Sequence, residues 1–337
     1  MQRLLIYPRK ARRVAAGFGV KTPTARSAKS IALCAVVFLL PQAAAAEQIA
    51  LFTGQKTATY YAFGKDMAQL LPDKNFSLDV RESDGSMDNI KRMSGADNVT
   101  LGIVQSDVLG FLRRSHNAAS KEMVSRLRVV FPLYQEEIHV LAREEIHDFK
   151  ELQGKKVAIG EEGSGHMLTA VNLFAIEQIT PSEIKKITPE EGIVAVLKGD
   201  LDAVIFVGGK PVKIFKNMED LTKKENQKYA LLLQNVHFLP LNDTKLYAEY
   251  EPTEITPQDY NFVKSIVPTI AVQAALVSYA SPASKPSKTR CASLKQFADA
   301  LRTQLPALRA SGHPKWQEVN LAGSTHGWQK DACVWGK

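Results

Sequence analysis

Residues that perform chemistry are sparse in this sequence, and the common catalytic spacings are missing from it. The chain contains no GxxxxGK[ST] phosphate loop, no HExxH pair and no CxxC pair. Ser164 stands between Gly163 and Gly165, but Glu162 and His166 occupy the positions where a nucleophile elbow carries glycine. The residue patterns therefore do not support an enzyme, and we expect no catalytic residue and no cofactor.

The tetrapeptide Glu-Glu-Ile-His occurs twice, ending at His139 and at His147, and histidine with nearby carboxylates is a ligand set for zinc. His139 belongs to a predicted strand whose alternate residues Ile138, Val140 and Ala142 share one face. His147 follows the end of that strand. Because nothing directs the two rings to a common point, we predict no metal site.

Four short polar turns are better candidates for binding, because each follows a predicted strand and precedes a predicted helix. They cover residues 54–59, 83–86, 161–165 and 208–210. Unpaired N–H groups at a helix start attract carboxylate or phosphate oxygens. Thr59, Ser86 and Ser164 add hydroxyl donors, and glycine lets a ligand approach the backbone. Each turn alone is more simply explained as a helix cap, but four together favour a binding cleft.

The excess positive charge of the chain is confined to its first 46 residues. The whole sequence has a net charge of +8, from 43 Lys and Arg against 35 Asp and Glu. Eight of the basic residues and none of the acidic ones lie in residues 1–46, so the remainder has 35 of each sign. A neutral body argues against nucleic acid as a partner, because such partners bind basic surfaces.

Residues 1–46 also have the order of a secretory leader. An apolar run from residue 31 to residue 40 follows the basic stretch, and Pro41 and four alanines ending at Ala46 come next. The alternative is a membrane anchor, but the uncharged run is shorter than the ~20 residues that span a bilayer. Leu33 precedes Cys34 where a lipoprotein signal has a small residue. We predict cleavage after Ala46 and a periplasmic protein, and the long basic stretch leaves room for a start codon downstream of Met1.

Two cysteines remain after the leader, Cys291 and Cys333. An even pair in an exported chain predicts a disulfide, which here ties the C-terminal tail to the preceding helix. The alternative is two unpaired thiols.

Strand-like and helix-like runs alternate along the remaining chain, which is typical of parallel sheets covered by helices. Predicted strands cover residues 48–53, 77–82, 100–105, 127–134, 138–143, 156–160 and 203–207, with an apolar run at 266–279. Predicted helices cover residues 60–71, 87–94, 107–114, 166–177, 189–198 and 294–308. A second series begins near residue 148, so we predict an α/β fold with two sheets, each with its own edge loops.

Motifs along residues 48–280 resemble, in order, the TAXI-type solute receptors of TRAP transporters. They are Thr53-Gly54, Tyr60-Tyr61-Ala62-Phe63-Gly64, Ser83-Asp84-Gly85-Ser86-Met87-Asp88-Asn89, Gln105-Ser106-Asp107, Tyr134, Leu152 to Val157, Gly163-Ser164-Gly165, Leu197 to Ala203, Val207-Gly208-Gly209-Lys210-Pro211 and Val267-Pro268-Thr269. Several motifs together are fairly specific, whereas any one alone would be weak.

The resemblance implies a type II-like periplasmic binding protein, with two mostly parallel α/β lobes and a ligand cleft between them. Lobe 1 would comprise residues 47–138 and 238–337, and lobe 2 residues 139–237. The implied ligand is a small carboxylate-bearing solute, an organic acid or an amino acid such as glutamate. A monomer would deliver it to TRAP membrane subunits. The alternatives are a ligand-binding protein that serves a membrane sensor, and a periplasmic hydrolase.

The turns and the resemblance together predict the ligand-binding residues. They are Gly54, Thr59, Tyr60, Tyr61, Ser83, Gly85, Ser86, Asn89, Gln105, Ser106, Tyr134, Gly163, Ser164, Gly165, His166, Gly208, Gly209 and Lys210. Tyr60, Tyr61 and Tyr134 would supply aromatic walls with polar tips. Two departures from the family pattern, Lys56 and His166, would bring positive or titratable donors that favour an anion. The alternative is that both side chains face solvent.

Overall fold

A computed structural model describes residues 47–71, 76–94, 99–115, 117–219, 231–280, 288–325 and 327–336. The predicted leader, its cleavage after Ala46, and Cys34 lie outside these residues. Within the described ranges, no helix is both long enough and apolar enough to span a bilayer.

Strands and helices alternate along the chain, as the sequence predicts. The strands are β1 (Glu47–Phe52), β2 (Phe76–Arg81), β3 (Thr100–Gln105), β4 (Leu127–Arg143), β5 (Lys156–Ala158), β6 (Glu183–Lys185), β7 (Ala203–Gly208), β8 (Val236–Phe238), β9 (Glu251–Ile255) and β10 (Val267–Tyr279). The α-helices are α1 (Thr59–Leu70), α2 (Ser86–Ser94), α3 (Ser106–Arg114), α4 (Ala118–Arg126), α5 (Gly165–Glu177), α6 (Pro189–Lys198), α7 (Lys213–Met218), α8 (Lys288–Ser311) and α9 (Ala332–Trp335). Short 3-10 helices cover Phe149–Leu152, Leu246–Ala248 and Pro314–Glu318.

Local signals account for the helix ends that the sequence predicts well. At the start of α6, the Thr188 hydroxyl accepts a hydrogen bond from Glu191 N, and the Glu191 carboxylate accepts one from Thr188 N. Pro189 takes the first helical position, and Gly199 ends the helix in the left-handed region with φ 83°. Such caps are encoded within a few residues of the helix end, so the bounds 189–198 are confirmed.

The prediction of two separate strands at 127–134 and 138–143 is wrong, because β4 runs through both without a break. Gln135, Glu136 and Glu137 interrupt the apolar pattern that marks a buried strand. The backbone ladder nevertheless continues, since β10 pairs with all three residues, and the side chains of Glu136 and Glu137 have polar partners in the interior. The sequence prediction also omits α4 and the strands β6, β8 and β9.

The strands form one hydrogen-bonded path in the order β2-β1-β3-β10-β4-β7-β5-β6, with β8 beside β4 and β9 beside β10. The outer groups β2-β1-β3 and β7-β5-β6 are parallel, whereas β10 and β4 pair antiparallel with each other and with their outer neighbours. The two predicted sheets are thus joined edge to edge. A strand as long as β4 can pair with β10 at one end and β7 at the other.

Hydrophobic packing separates the molecule into two halves that share β4 and β10. The first half packs around β1 to β3 and includes side chains up to Tyr134 of β4, together with α8 and the C-terminal segment. The second half packs around β5 and β7 and includes the rest of β4. The segment from Leu239 to Val263 contributes its buried side chains to the second half.

The predicted disulfide is present and connects Cys291 of α8 to Cys333 of α9. The segment that precedes α9 is also bound to the sheet, because Val129 N donates to Gln329 O and Asp331 N donates to Val129 O. The C-terminal tail is therefore part of the first half.

Candidate functional site

A cavity of about 510 Å³ lies where loops of the two halves meet. Parallel strands place the loops that follow them at one edge of a sheet, and the segments after β1, β2, β5 and β7 reach this cavity together with Gln105 at the end of β3. The predicted residues that line it are Gly54, Thr59, Tyr60, Gly85, Ser86, Gln105, Ser164, Gly165, His166 and Gly208, and Lys56 lies among them. All four predicted turns thus contribute to one site.

The other predicted residues do not line the cavity. They are Tyr61, Ser83, Asn89, Ser106, Tyr134, Gly163, Gly209 and Lys210. Asn89 and Ser83 hold the loops instead. Asn89 Nδ2 donates to the carbonyls of Thr53 and Ile103 at 2.6 and 2.7 Å, and its Oδ1 accepts from the Ser83 hydroxyl. Asn89 therefore ties the loop after β1 to the ends of β3 and α2.

Two of these residues pack in the interior, and one forms an ion pair. The Tyr134 ring lies 4.4 Å from that of Phe63 in the first core. Gly209 is a close-packing position, because a side chain there would meet Tyr134 and Lys315. Lys210 Nζ lies 3.0 Å from Asp259 Oδ2, on the second half.

The start of α5 brings donors to the cavity, and Gln105, directly before α3, brings an acceptor. Ser164 caps α5, since its hydroxyl accepts from Met167 N. The first-turn amides of Gly165 and His166 donate no hydrogen bond to any residue that the structure describes. Gln105 is 2 % exposed and its Oε1 has no hydrogen-bond partner among the described residues. Unpaired polar atoms in a largely buried site are costly, so they favour a polar ligand.

The two halves touch across the cavity in this structure. Gln55 Nε2 donates to Glu161 Oε2, and the Thr169 hydroxyl donates to Asp107 Oδ2 at 2.6 Å. At Gly165 the approach is so close that a side chain would overlap the amide of Gln105. The cavity is therefore bounded by loops of both halves that touch each other.

Gly165→Ala is expected to force Gln105 away or separate the two halves, because the added methyl group overlaps the buried Gln105 amide. Solute affinity is expected to fall by at least about tenfold, since one lost contact of ~1.4 kcal/mol has that effect. Small-angle scattering measures the separation, and titration calorimetry measures the affinity. Gly110→Ala is the matched control, because its methyl group meets neighbours at an ordinary 3.4 Å or more and Gly110 does not line the cavity. Equal behaviour of the two variants would contradict the packing argument.

The two departures from the family pattern differ in environment. The His166 ring stacks on Phe206 at 4.5 Å, and its Nδ1 accepts from Val207 N at 3.2 Å. Burial lowers the pKa of His166 to about 4, so the ring is neutral at pH 7. The Lys56 side chain is 67 % exposed and lies 3.4 Å from Glu82. Neither residue brings a buried positive charge to the cavity.

Glu136 is the lining residue that sequence reasoning missed. It is 3 % exposed, and its Oε2 accepts from the Tyr60 hydroxyl at 2.6 Å. Burial raises the pKa of Glu136 to about 8. The sequence feature that could have indicated it is a carboxylate between the apolar stretches of a strand. Burial of a carboxylate is unfavourable unless a partner compensates it. The apolar walls from Phe206, Val212 and Ile214 were also not predicted.

The two histidines of the repeated tetrapeptide lie apart from the cavity. His139 stacks on Phe215 at 5.0 Å, and its Nε2 lies 2.9 Å from the Tyr260 hydroxyl. The His147 ring lies 5.9 Å from that of His237. Within the described ranges, no three His, Cys, Asp or Glu side chains are grouped as metal ligands.

Comparisons with known proteins give structural similarities and a family. A structure described as a periplasmic transporter has a TM-score of 0.49 and 13 % identity, with 83 % of this chain and 89 % of that chain covered. The periplasmic binding protein BugD has a TM-score of 0.49 and 11 % identity, covering 81 % and 84 %. MatC from Rhodopseudomonas palustris, solved with bound malate, has a TM-score of 0.49 and 12 % identity, covering 82 % and 90 %. Residues 51–283 match the model of the NMT1-like family, and the chain belongs to that family.

Proposed function

We propose that this protein is a periplasmic solute-binding receptor of the TAXI type. It captures a small carboxylate-bearing molecule and delivers it to a TRAP-type membrane transporter. The observation that carries the proposal is the cavity of about 510 Å³, built by loops of both halves. A site of this size suits a small organic molecule, and enclosure by two bodies is how hinged binding proteins hold ligands.

The helix starts support a carboxylate as the ligand group. Ser164, Gly165 and His166 begin α5 at the cavity wall, and the free amides there complement an anion without a charged side chain. Membership of the NMT1-like family and the ordered TAXI-like motifs are consistent with this reading. We expect Gly54, Thr59, Tyr60, Ser86, Gln105 and Gly208 to complete the ligand contacts.

The two halves would act as lobes that close on a hinge in β4 and β10. We expect the closed form to be the one that the transporter recognises. The segment from Leu239 to Val263 packs with the second half. It would therefore move with residues 139–237, although the sequence boundary at residue 238 assigns it to the first lobe.

A solute screen on the purified protein tests this function. Organic acids and amino acids are compared with neutral sugars by thermal shift, and hits are titrated by calorimetry. A ligand at 100 times its dissociation constant is expected to stabilise the folded protein by ~2.7 kcal/mol. Stabilisation by sugars and by none of the carboxylates would contradict the ligand class. Capture of a sensor kinase in place of TRAP subunits by the liganded protein would contradict the transport role.

A further inference from the structure

Glu136 is a buried carboxyl group at the cavity wall, contributed by the strand that joins the two halves. It lies opposite Val272 in the ladder between β4 and β10, so its backbone position is set by the sheet. Its hydrogen bond comes from the Tyr60 hydroxyl, and Tyr60 also lines the cavity. The carboxyl group therefore has one neutral donor and one side toward the ligand space.

The neighbouring residue, Glu137, is a buried carboxylate with a structural role, and its partners differ from those of Glu136. Glu137 points to the opposite face of the strand and meets Lys315 Nζ at 2.8 Å and Lys210 N at 2.8 Å. A cation and a backbone amide thus compensate its charge. Glu136 forms no ion pair with any residue of the described ranges, so its charge, when present, has no fixed counterion.

Titratable groups on several elements surround Glu136. They are Tyr60 on α1, Asp107 on α3, Tyr134 and Glu137 on β4, and Lys315 in the Pro314–Glu318 helix. Burial is the main cause that raises the pKa of Glu136 to about 8, with smaller contributions from Asp107 and Glu137 and opposing effects from Tyr60 and Lys315. Burial without a counterion thus favours the protonated form of this carboxyl group near neutral pH.

The other charged groups of the cavity do not supply the missing cation. Lys56 and Lys213 are exposed, and His166 is neutral. The remaining charged residues of the lining are acidic, namely Asp84, Glu161 and Glu190. Asp84 and Glu190 are exposed, as the two lysines are, so the buried Glu136 is the group that favours a ligand with positive charge, whereas the free amides at the start of α5 favour a ligand that brings a carboxylate.

We propose that Glu136 binds an ammonium group, and that the cavity thereby selects solutes carrying both a carboxylate and an amino group over acids without the amino group. This inference rests on the proposed solute-binding function and narrows its ligand class. The ligand carboxylate would meet the amides of Gly165 and His166, and the ligand ammonium would meet Glu136 beside Tyr60.

Binding by this route exchanges a proton for the ligand. The neutral carboxyl group of Glu136 loses its proton to solvent, and the resulting carboxylate pairs with the ligand ammonium. Affinity is then expected to rise with pH, by up to about tenfold per unit below the pKa of Glu136, and to level off above it. A ligand that instead used neutral Glu136 as a donor to an anion would lose affinity as the pH rises through 8.

Matched solute pairs and matched variants test the proposal. L-glutamate is compared with glutarate, and L-leucine with 4-methylpentanoate, by calorimetry on wild type, Glu136→Gln and Glu144→Gln. In the wild type, at least one amino acid is expected to bind ten times more tightly than its partner acid. Glu136→Gln is expected to abolish that preference. Glu144→Gln removes the same charge from an exposed residue outside the cavity lining and is expected to keep the preference.

Each outcome has a distinct meaning. Glutamine at 136 retains an acceptor for the Tyr60 hydroxyl, and an unchanged melting temperature shows that the variant folds. Acids that bind as tightly as the amino acids, in wild type and Glu136→Gln alike, would overturn the role of Glu136 and leave solute capture standing. An affinity that falls between pH 6 and pH 8 would also overturn the role of Glu136 and leave solute capture standing. Absence of binding by all the acids and amino acids of the wider screen would overturn the proposed function, and this inference with it.

Discussion

Replacement of Lys315 by Met is expected to lower the free energy of unfolding by about 3–5 kcal/mol at pH 7. The Lys315 side chain is 1 % exposed, and its Nζ lies 2.8 Å from Glu137 Oε1 and 2.7 Å from Glu318 Oε1. Glu137 is 4 % exposed at its side chain, so loss of the cation would leave a buried, unpaired charge. Burial already raises the pKa of Glu137, and Lys315 is the main influence that lowers it.

The pH dependence of this deficit follows from that pKa. A carboxyl group whose pKa is raised by folding destabilises the protein as the pH rises, because the folded state must release a proton that it holds more tightly. Without Lys315 the pKa of Glu137 rises further. We therefore expect the deficit to be largest above this pKa and to shrink as the pH falls through it.

Urea unfolding of three variants measures the effect. Lys315→Met combined with Glu137→Gln is expected to recover most of the lost stability, because no charge is then left unpaired. Lys295→Met removes a lysine from the exposed pair with Asp299 and is expected to cost less than about 1 kcal/mol. Equal stability of Lys315→Met and Lys295→Met would show that the buried pair contributes nothing specific.

Removal of the disulfide is expected to have an effect of similar size. Conversion of Cys291 and Cys333 to Ser opens a loop of sequence separation 42 and is expected to lower the free energy of unfolding by about 4 kcal/mol. The folded tail has other anchors. Asp331 is 2 % exposed and accepts from Arg290 Nη2 at 2.8 Å and from the Ser278 hydroxyl at 2.5 Å. The tail is therefore expected to stay docked while the unfolded chain gains freedom.

Urea midpoints of the oxidised protein and the serine variant measure this loss. Asp331→Asn is an informative companion, since it weakens the docking contacts and leaves the covalent link intact. Thiol labelling of the native wild type is expected to find no free cysteine at 291 or 333. A serine variant with an unchanged midpoint would mean that the docking contacts alone hold the tail.

Local sequence patterns predicted most elements because the signals that start and end them are short-range. Strand β3 and helix α6 occupy the predicted residues, β1 and α1 are each shifted by one residue, and α3 begins one residue earlier than predicted. Strands β6 and β8 escaped prediction because three residues cannot display a periodicity. The break predicted within β4 arose from Gln135, Glu136 and Glu137, whose polarity resembles a turn when their partners are unknown.

The residues of the candidate site likewise differ in whether short-range sequence patterns could predict them. Glycines and hydroxyl residues after strands mark turns, so the four loops and ten of the cavity-lining residues were predictable. Asn89 and Tyr134 belong to motifs as recognisable as those of the lining residues, yet they face the loops and the core. A sequence motif indicates that a residue has a role, but the direction of its side chain depends on the surrounding elements.

The sequence by itself determined the alternation of strands and helices, the loops at the sheet edges, the neutral body and the cysteine pair, because each depends on neighbouring residues or on composition. Only the tertiary structure decided that the two sheets join through β4 and β10 and that Glu136 lines the cavity. It also decided that His166 is neutral. The reason is distance along the chain, since Tyr60 lies 76 residues from Glu136, and Lys315 lies 178 residues from Glu137. Burial and partners at such separations set the charge of a side chain, and no local pattern contains them.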